Sequence, residues 1–194
     1  FILSTKEVVV HEDGRDAYVS VRLLSQPTQP VHISVLSSNK DEASVKPGML
    51  SFNSKNWAQN QNLRVIPRDD RIDDGDKTLY LKITPENSKD PVFAKLPIKT
   101  IKVINKDNDQ AGLVINPLKP NTSEAGEEGK IGIKLDSQPK SEVQLEFQIS
   151  DKDEAKLLLR RIDFNELDWF QEKWVRVIGL DDEKIDGDQA YTVT

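Results

Sequence analysis

The stretch Asp69-Asp70-Arg71-Ile72-Asp73-Asp74-Gly75-Asp76 returns 112 residues further on as Asp181-Asp182-Glu183-Lys184-Ile185-Asp186-Gly187-Asp188. At that offset (69 to 181) residues 1–82 lie over residues 113–194 without a gap, and 24 of the 82 positions are identical. Identity that dense at one fixed spacing predicts two copies of one fold in tandem, at 1–109 and 110–194. Each copy packs five acidic groups into eight residues. Two unit charges 4 Å apart repel by about 4 kcal/mol at an effective dielectric of 20, so each loop invites a positive partner.

The chain has 194 residues, a net charge of −6 and 36% hydrophobic residues, which suits two soluble units of about 100 residues, each with a core of its own. Lys and Arg are dispersed, which disfavours nucleic acid as a partner. No apolar run reaches the roughly 18 residues of a membrane span, and Phe1-Ile2-Leu3 is too short for a signal peptide, so the sequence reads as part of a longer protein with no membrane insertion in this segment. The absence of cysteine excludes disulfides, thiolate metal sites and cysteine nucleophiles. A secreted eukaryotic module of this size often carries a disulfide, so a cysteine-free one reads as a bacterial surface module stapled by metal.

Outward from the acidic loop the pattern is β throughout. Val8-Val9-Val10, Ala17 to Leu23, Val31 to Val35, Leu50 to Phe52, Leu63 to Ile66, Leu79 to Ile83 and Ile98 to Ile104 are short alternating or apolar runs separated by turn residues. Seven such runs predict an antiparallel, immunoglobulin-like β-sandwich. Ser37 to Gly48 reads as loop. Ala155 to Ile162 has helical propensity, yet lies over Pro47-Gly48 of the first copy and is assigned loop plus strand. The second copy lacks counterparts of Ile83 to Asn108, so it reads as a truncated sandwich with an open sheet edge.

In a seven-strand sandwich alternate connections fall at one end. The Glu after the first strand, the acidic loop and the exit Asp107-Asn108-Asp109 are therefore expected to meet. Carboxylates from separate segments are what a Ca²⁺ site needs, while Asp-Gly and Asn-Asp also make ordinary solvated turns. His11 and His32 stand alone and suit surface or capping roles. Trp57 and Trp169 repeat and suit core or edge packing. The start of an EF-hand loop at Asp107 fails at Ala111 and Leu118, and no cleft signature or phosphate loop accompanies the carboxylates, so no enzyme activity is expected.

Taken together, Glu12-Asp13-Gly14 after a β-run, Val65-Ile66 leading to Asp69-Asp70 and Asp74, Thr78-Leu79-Tyr80-Leu81-Lys82-Ile83, and Asn105-Lys106-Asp107-Asn108-Asp109-Gln110-Ala111-Gly112 resemble the Calx-β domain. That family was first described in sodium–calcium exchangers and occurs in tandem in bacterial surface proteins. The resemblance implies Ca²⁺ ligands at Glu12, Asp69, Asp70, Asp74, Asp107 and Asp109, and in the second copy at Glu124, Asp181, Asp182 and Asp186. Asp76 and Asp188 close the same loops and join the candidate set. Asn108 departs from the family by replacing an acid, and the family's mid-domain ligand has no clear match, with Asp41 or Glu42 as substitutes.

The expected function is a calcium-binding structural or adhesive tandem module of a large extracellular bacterial protein, Ca²⁺ stiffening the junction between units. Its partners would be neighbouring repeat units of the same chain and a surface receptor or glycan. The alternatives are a regulatory Ca²⁺ sensor of a transporter or signalling protein, and a carbohydrate-binding accessory module.

Overall fold

The computed structural model describes every residue except Asn87, Ser88 and Asp186. The chain divides into two compact units, Phe1–Asp70 with Asp74–Asn108, and Arg71–Asp73 with Asp109–Thr194.

The first unit contains β1 (Ile2–Leu3), β2 (Glu7–His11), β3 (Ala17–Arg22), β4 (Val31–Ser37), β5 (Ala43–Lys46), β6 (Met49–Phe52), β7 (Gln61–Pro67), β8 (Lys77–Glu86) and β9 (Lys99–Lys106). One sheet has the order β1-β3-β7-β5 and the other β2-β9-β8-β4-β6. Among the described residues every pairing is antiparallel except β2 with β9, which run parallel from Glu7 beside Lys102 to His11 beside Lys106. The segment expected to be loop at Ser37 to Gly48 contains a strand, since β5 pairs with β7 through Ala43 and Pro67 to Lys46 and Arg64. A 3-10 turn, Phe93–Lys95, interrupts the β8–β9 connection.

Period-two alternation builds the core. Val19 and Val21 of β3, Ile33 and Val35 of β4, Leu63 and Val65 of β7, Leu79, Leu81 and Ile83 of β8, and Ile101 and Val103 of β9 are buried between the sheets. Their polar neighbours face outward. Trp57 packs against this core and Trp169 belongs to that of the second unit. Asp90 is 2% exposed and ties the β8–β9 connection to the turn before β4. Its Oδ2 accepts from the backbone N–H and hydroxyl of Thr28 at 2.7 and 2.8 Å, and its Oδ1 from the N–H groups of Val92 and Phe93.

The second unit contains β10 (Leu113–Lys119), β11 (Glu128–Leu135), β12 (Val143–Glu146), β13 (Ala155–Leu157), β14 (Arg161–Phe164) and β15 (Lys173–Gly179). Its sheets are β10-β11-β15-β13 and the pair β12-β14. Registers repeat those of the first unit: Ile2 and Leu3 lie beside Arg22 and Val21, and their counterparts Val114 and Ile115 beside Lys134 and Ile133. Among the described residues no helix is long and apolar enough to cross a membrane.

Candidate metal centre

Glu12 follows β2 directly. Its backbone N–H donates to the Lys106 carbonyl at 3.1 Å, and Gly14, at φ 95°, closes the turn by donating to the His11 carbonyl. A positive φ is strained for residues with a Cβ, which is why a glycine stands there. The parallel β2–β9 pairing thus places Glu12 against the end of β9, and only 4% of the residue is exposed.

Asn105 takes the next inward position on β9 after Ile101 and Val103, and is fully buried. Its Nδ2 donates to Glu12 Oε1 at 2.9 Å and to the carbonyl and Oε2 of Glu42 at 3.1 and 3.2 Å. Glu12 Oε2 is buried and has no hydrogen-bond partner among the described residues. Two residues beyond Asn105, Asp107 turns its Oδ2 to the backbone N–H groups of Asp74 at 2.9 Å and Gly75 at 2.5 Å. Gly75, at φ 74°, lets the acidic loop present both donors in succession.

Glu12, Asp107 and Asp109 each offer a carboxylate oxygen within 4.8 Å of the others. Burial raises the Glu12 carboxyl to about 7, and the charges of Asp70, Asp107, Glu42 and Asp74 push the same way. Water is withdrawn from one carboxylate while four others bear on it.

The remaining candidates of the first unit are not part of that group of three. Asp74 forms an ion pair with Lys77 at 3.0 Å, and Lys77 also donates to the Asp74 carbonyl at 2.7 Å. The hydrogen bond from Lys106 holds the Asp76 carboxyl below its usual range, and Asp76 Oδ1 accepts from the Asp107 N–H. Two loop acids are thus held by lysines. Asp69 and Asp70 are exposed, Asp70 acting on Glu12 through its charge. Of the two mid-domain substitutes, Glu42 meets Asn105 whereas Asp41 pairs with Arg68 on the surface.

Most of the candidate acids of the second unit face solvent. Glu124, Asp181 and Asp188 are exposed, and Asp186 lies outside the described residues. Asp182 accepts from the N–H of Lys184 at 2.8 Å and pairs with its ammonium at 3.1 Å, and these contacts lower its pKa. Among the described residues no group of three acids gathers in this unit. The 194 residues hold no counterpart of Asn105, Asp107 or Asp109 for the second copy.

The residues that sequence reasoning left out are Asn105 and, in the main set, Glu42. Asn105 was visible as a polar residue at an inward position of an apolar alternation. Glu42 was visible through its retention as Glu154.

No family model and no curated protein matches the chain. Solved structures similar in outline include the calcium binding domain CBD12 of CALX1.1, 18% identical over 91% of this chain and 74% of that one, with a TM-score of 0.41. The corresponding CBD12 from CALX1.2 is 16% identical over 97% and 76%, with a TM-score of 0.38. The E. coli chaperone DraB is 12% identical over 94% and 87%, with a TM-score of 0.40. Likeness at this level assigns no function.

The donor set itself is informative. It consists of carboxylate oxygens alone, with no imidazole or thiolate, which suits a hard cation such as Ca²⁺ and not zinc or copper. Ca²⁺ binds oxygen at roughly 2.3–2.6 Å, so two ligands on opposite sides of one ion lie about 4.6–5.2 Å apart. Donor oxygens within 4.8 Å of one another meet that limit.

Proposed function

We propose that Glu12 and Asp107 of the first unit, with Asp109 directly following that unit along the chain, form a Ca²⁺ site. The observation that carries this reading is the Glu12 carboxylate, 4% exposed, with Oε2 lacking a hydrogen-bond partner among the described residues. A buried carboxylate oxygen without donor or cation costs several kcal/mol, so a fold that holds one beside two further acids is suited to a cation.

Glu12, Asp107 and Asp109 would hold the ion, with Glu42 and Asp70 adding negative charge around it. Bound Ca²⁺ supplies positive charge where the carboxylates repel. The chain's own residues do the positioning. Asn105 fixes the Glu12 head group, and the N–H groups of Asp74 and Gly75 fix that of Asp107. Lys77 and Lys106 hold Asp74 and Asp76, so charge left over after their pairing is concentrated at the triad.

In this reading the task is structural and not catalytic. An ion shared by the turn after β2 and the segment leaving β9 ties the two together and restrains the backbone that continues into the second unit. Extracellular Ca²⁺ modules bind at about 10⁻⁴–10⁻³ M, so such a restraint would follow external Ca²⁺. We therefore assign the chain a place in a cell-surface or secreted protein, where tandem units space an adhesive or other domain and meet neighbouring units, a receptor or a glycan.

Thermal unfolding with Ca²⁺, with Mg²⁺ and with chelator tests the reading. Binding to the folded state alone adds RT ln(1 + [L]/Kd), about 2.7 kcal/mol at a hundredfold excess over Kd. A higher melting temperature in Ca²⁺ than in chelator is expected, and coincident curves in all three conditions would overturn the proposal.

A further inference from the structure

The sheets β1-β3-β7-β5 and β10-β11-β15-β13 are built from corresponding strands in the two copies, so the outer face of one can be compared with that of the other position by position. In the second unit period-two alternation turns Lys130, Lys134, Trp174 and Arg176 outward, between the buried Ile133, Leu135, Val175 and Val177. Lys156 of β13 points the same way, next to the buried Ala155. Cations that are dispersed along the sequence thus gather on one face of a chain whose net charge is −6.

The acids on this face are already engaged. Glu128 accepts from Arg176 Nε at 2.8 Å, which holds its carboxyl below the usual range. Glu172 Oε1 accepts from Asn116 Nδ2 at 2.6 Å. None of the ion pairs among the described residues includes Lys130, Lys134 or Lys156. The face therefore presents uncompensated positive charge.

Among these cations stands an indole. Trp174 is 38% exposed and lies beside Gly132, which lies beside Asn116, so the three make one row across the sheet. A Cβ at Gly132 would come within 2.5–2.9 Å of the Glu172 side chain. Glycine there leaves room for Glu172 to lie over the strand and reach Asn116. In the first copy Asn116, Gly132, Glu172 and Trp174 are Ser4, Ser20, Asn60 and Asn62. The fold accepts small polar residues at all four positions, so packing does not call for the indole. The charge, by contrast, is common to both copies, since Lys134 and Arg176 stand where the first has Arg22 and Arg64.

We propose that this face of the second unit binds an acidic polysaccharide, a chain of sugar rings bearing carboxylate or sulfate groups, with Trp174 as its stacking platform. The indole offers a flat apolar surface with a negative π face, suited to the C–H side of a pyranose ring. The amide of Asn116 and the carboxylate of Glu172 can accept from ring hydroxyls and fix the orientation. Lys130, Lys134 and Lys156 supply the charge that complements the acid groups. A single-stranded nucleic acid would call for a groove with an aromatic for each of several bases, whereas here one indole stands on an open sheet. The face contains none of Glu12, Asp107 and Asp109, so the proposal does not depend on Ca²⁺ binding.

The test is calorimetric titration of the intact chain with polygalacturonate fragments and with heparin fragments, both in chelator so that Ca²⁺ cannot bridge acid groups. Saturable binding that weakens as salt rises is expected for at least one of them, and the one that binds identifies the acid group. Trp174→Asn installs the residue of the first copy, so the melting temperature should hold while binding weakens at least about tenfold. Lys130→Glu combined with Lys134→Glu should abolish binding. Absence of binding to both polysaccharides, native affinity in Trp174→Asn, or equally tight binding of neutral dextran or of oligothymidylate would each overturn the proposal.

Discussion

The side-chain amide of Asn105 donates to Glu12 Oε1 over 2.9 Å in the interior of the first sandwich, and both residues are almost wholly shielded from water. That one contact joins the turn after β2 to the end of β9 and points a carboxylate at the place where Asp107 and Asp109 present theirs.

Replacing Asn105 by Ala removes donors to Glu12 and Glu42 while leaving the Glu12 carboxylate buried. Loss of a buried partner costs about 1–3 kcal/mol. We expect Asn105→Ala to lower the stability of the first unit by that order in chelator, read by urea unfolding. Asn105→Asp adds another acid to the cluster, so its deficit in chelator should be larger and should shrink in Ca²⁺.

Glu12 gives the protein without Ca²⁺ a pH dependence of defined sign. Its carboxyl is raised from 4.5 to about 7 in the fold, so the folded state binds more protons than the unfolded state between those values. Stability from this group is present below 4.5 and is lost as pH rises through 7. The shift corresponds to at most about 3 kcal/mol. In chelator, Glu12→Gln should flatten that fall. In Ca²⁺ the trend should reverse, because the ion requires the ionised carboxylate. Melting temperatures across pH 5 to 8, with and without Ca²⁺, check both signs.

Asp90 should behave in the opposite way and without reference to Ca²⁺. Burial raises its pKa, but hydrogen bonds from the Thr28 hydroxyl and the N–H groups of Thr28, Phe93 and Val92 outweigh that and hold it at about 2. Its contribution is present above the ordinary value of 3.8 and disappears as pH falls toward 2. Asp90→Ala should lower the melting temperature at neutral pH and weaken the acid dependence of stability. Ca²⁺ affinity should stay unchanged, which separates this buried carboxylate from that of Glu12.

Much of this was legible from residue spacing. The 112-residue offset and the alternation from Ala17 to Leu23 announce two β units, and Glu12, Asp107 and Asp109 stand out as acids at strand ends. Other features depend on pairings that a sequence does not display. Val8-Val9-Val10 says strand but not that its neighbour is β9 in parallel, and it is that pairing that delivers Glu12 to the exit acids. The four residues of β5 are too short to show alternation inside a polar stretch. Spacing does not display the β8–β9 register that brings Lys106 to Asp76. Asn105 reads as the first residue of a polar junction, whereas the strand continues through it and turns it inward.

Calorimetric titration of Ca²⁺ into the chelator-stripped chain, beside the Glu12→Gln variant, tests the central claim most directly. The account predicts saturable binding to the native chain, and binding lost or weakened at least about tenfold in the variant. Absence of binding to the native chain, or the same affinity in both proteins, would contradict it.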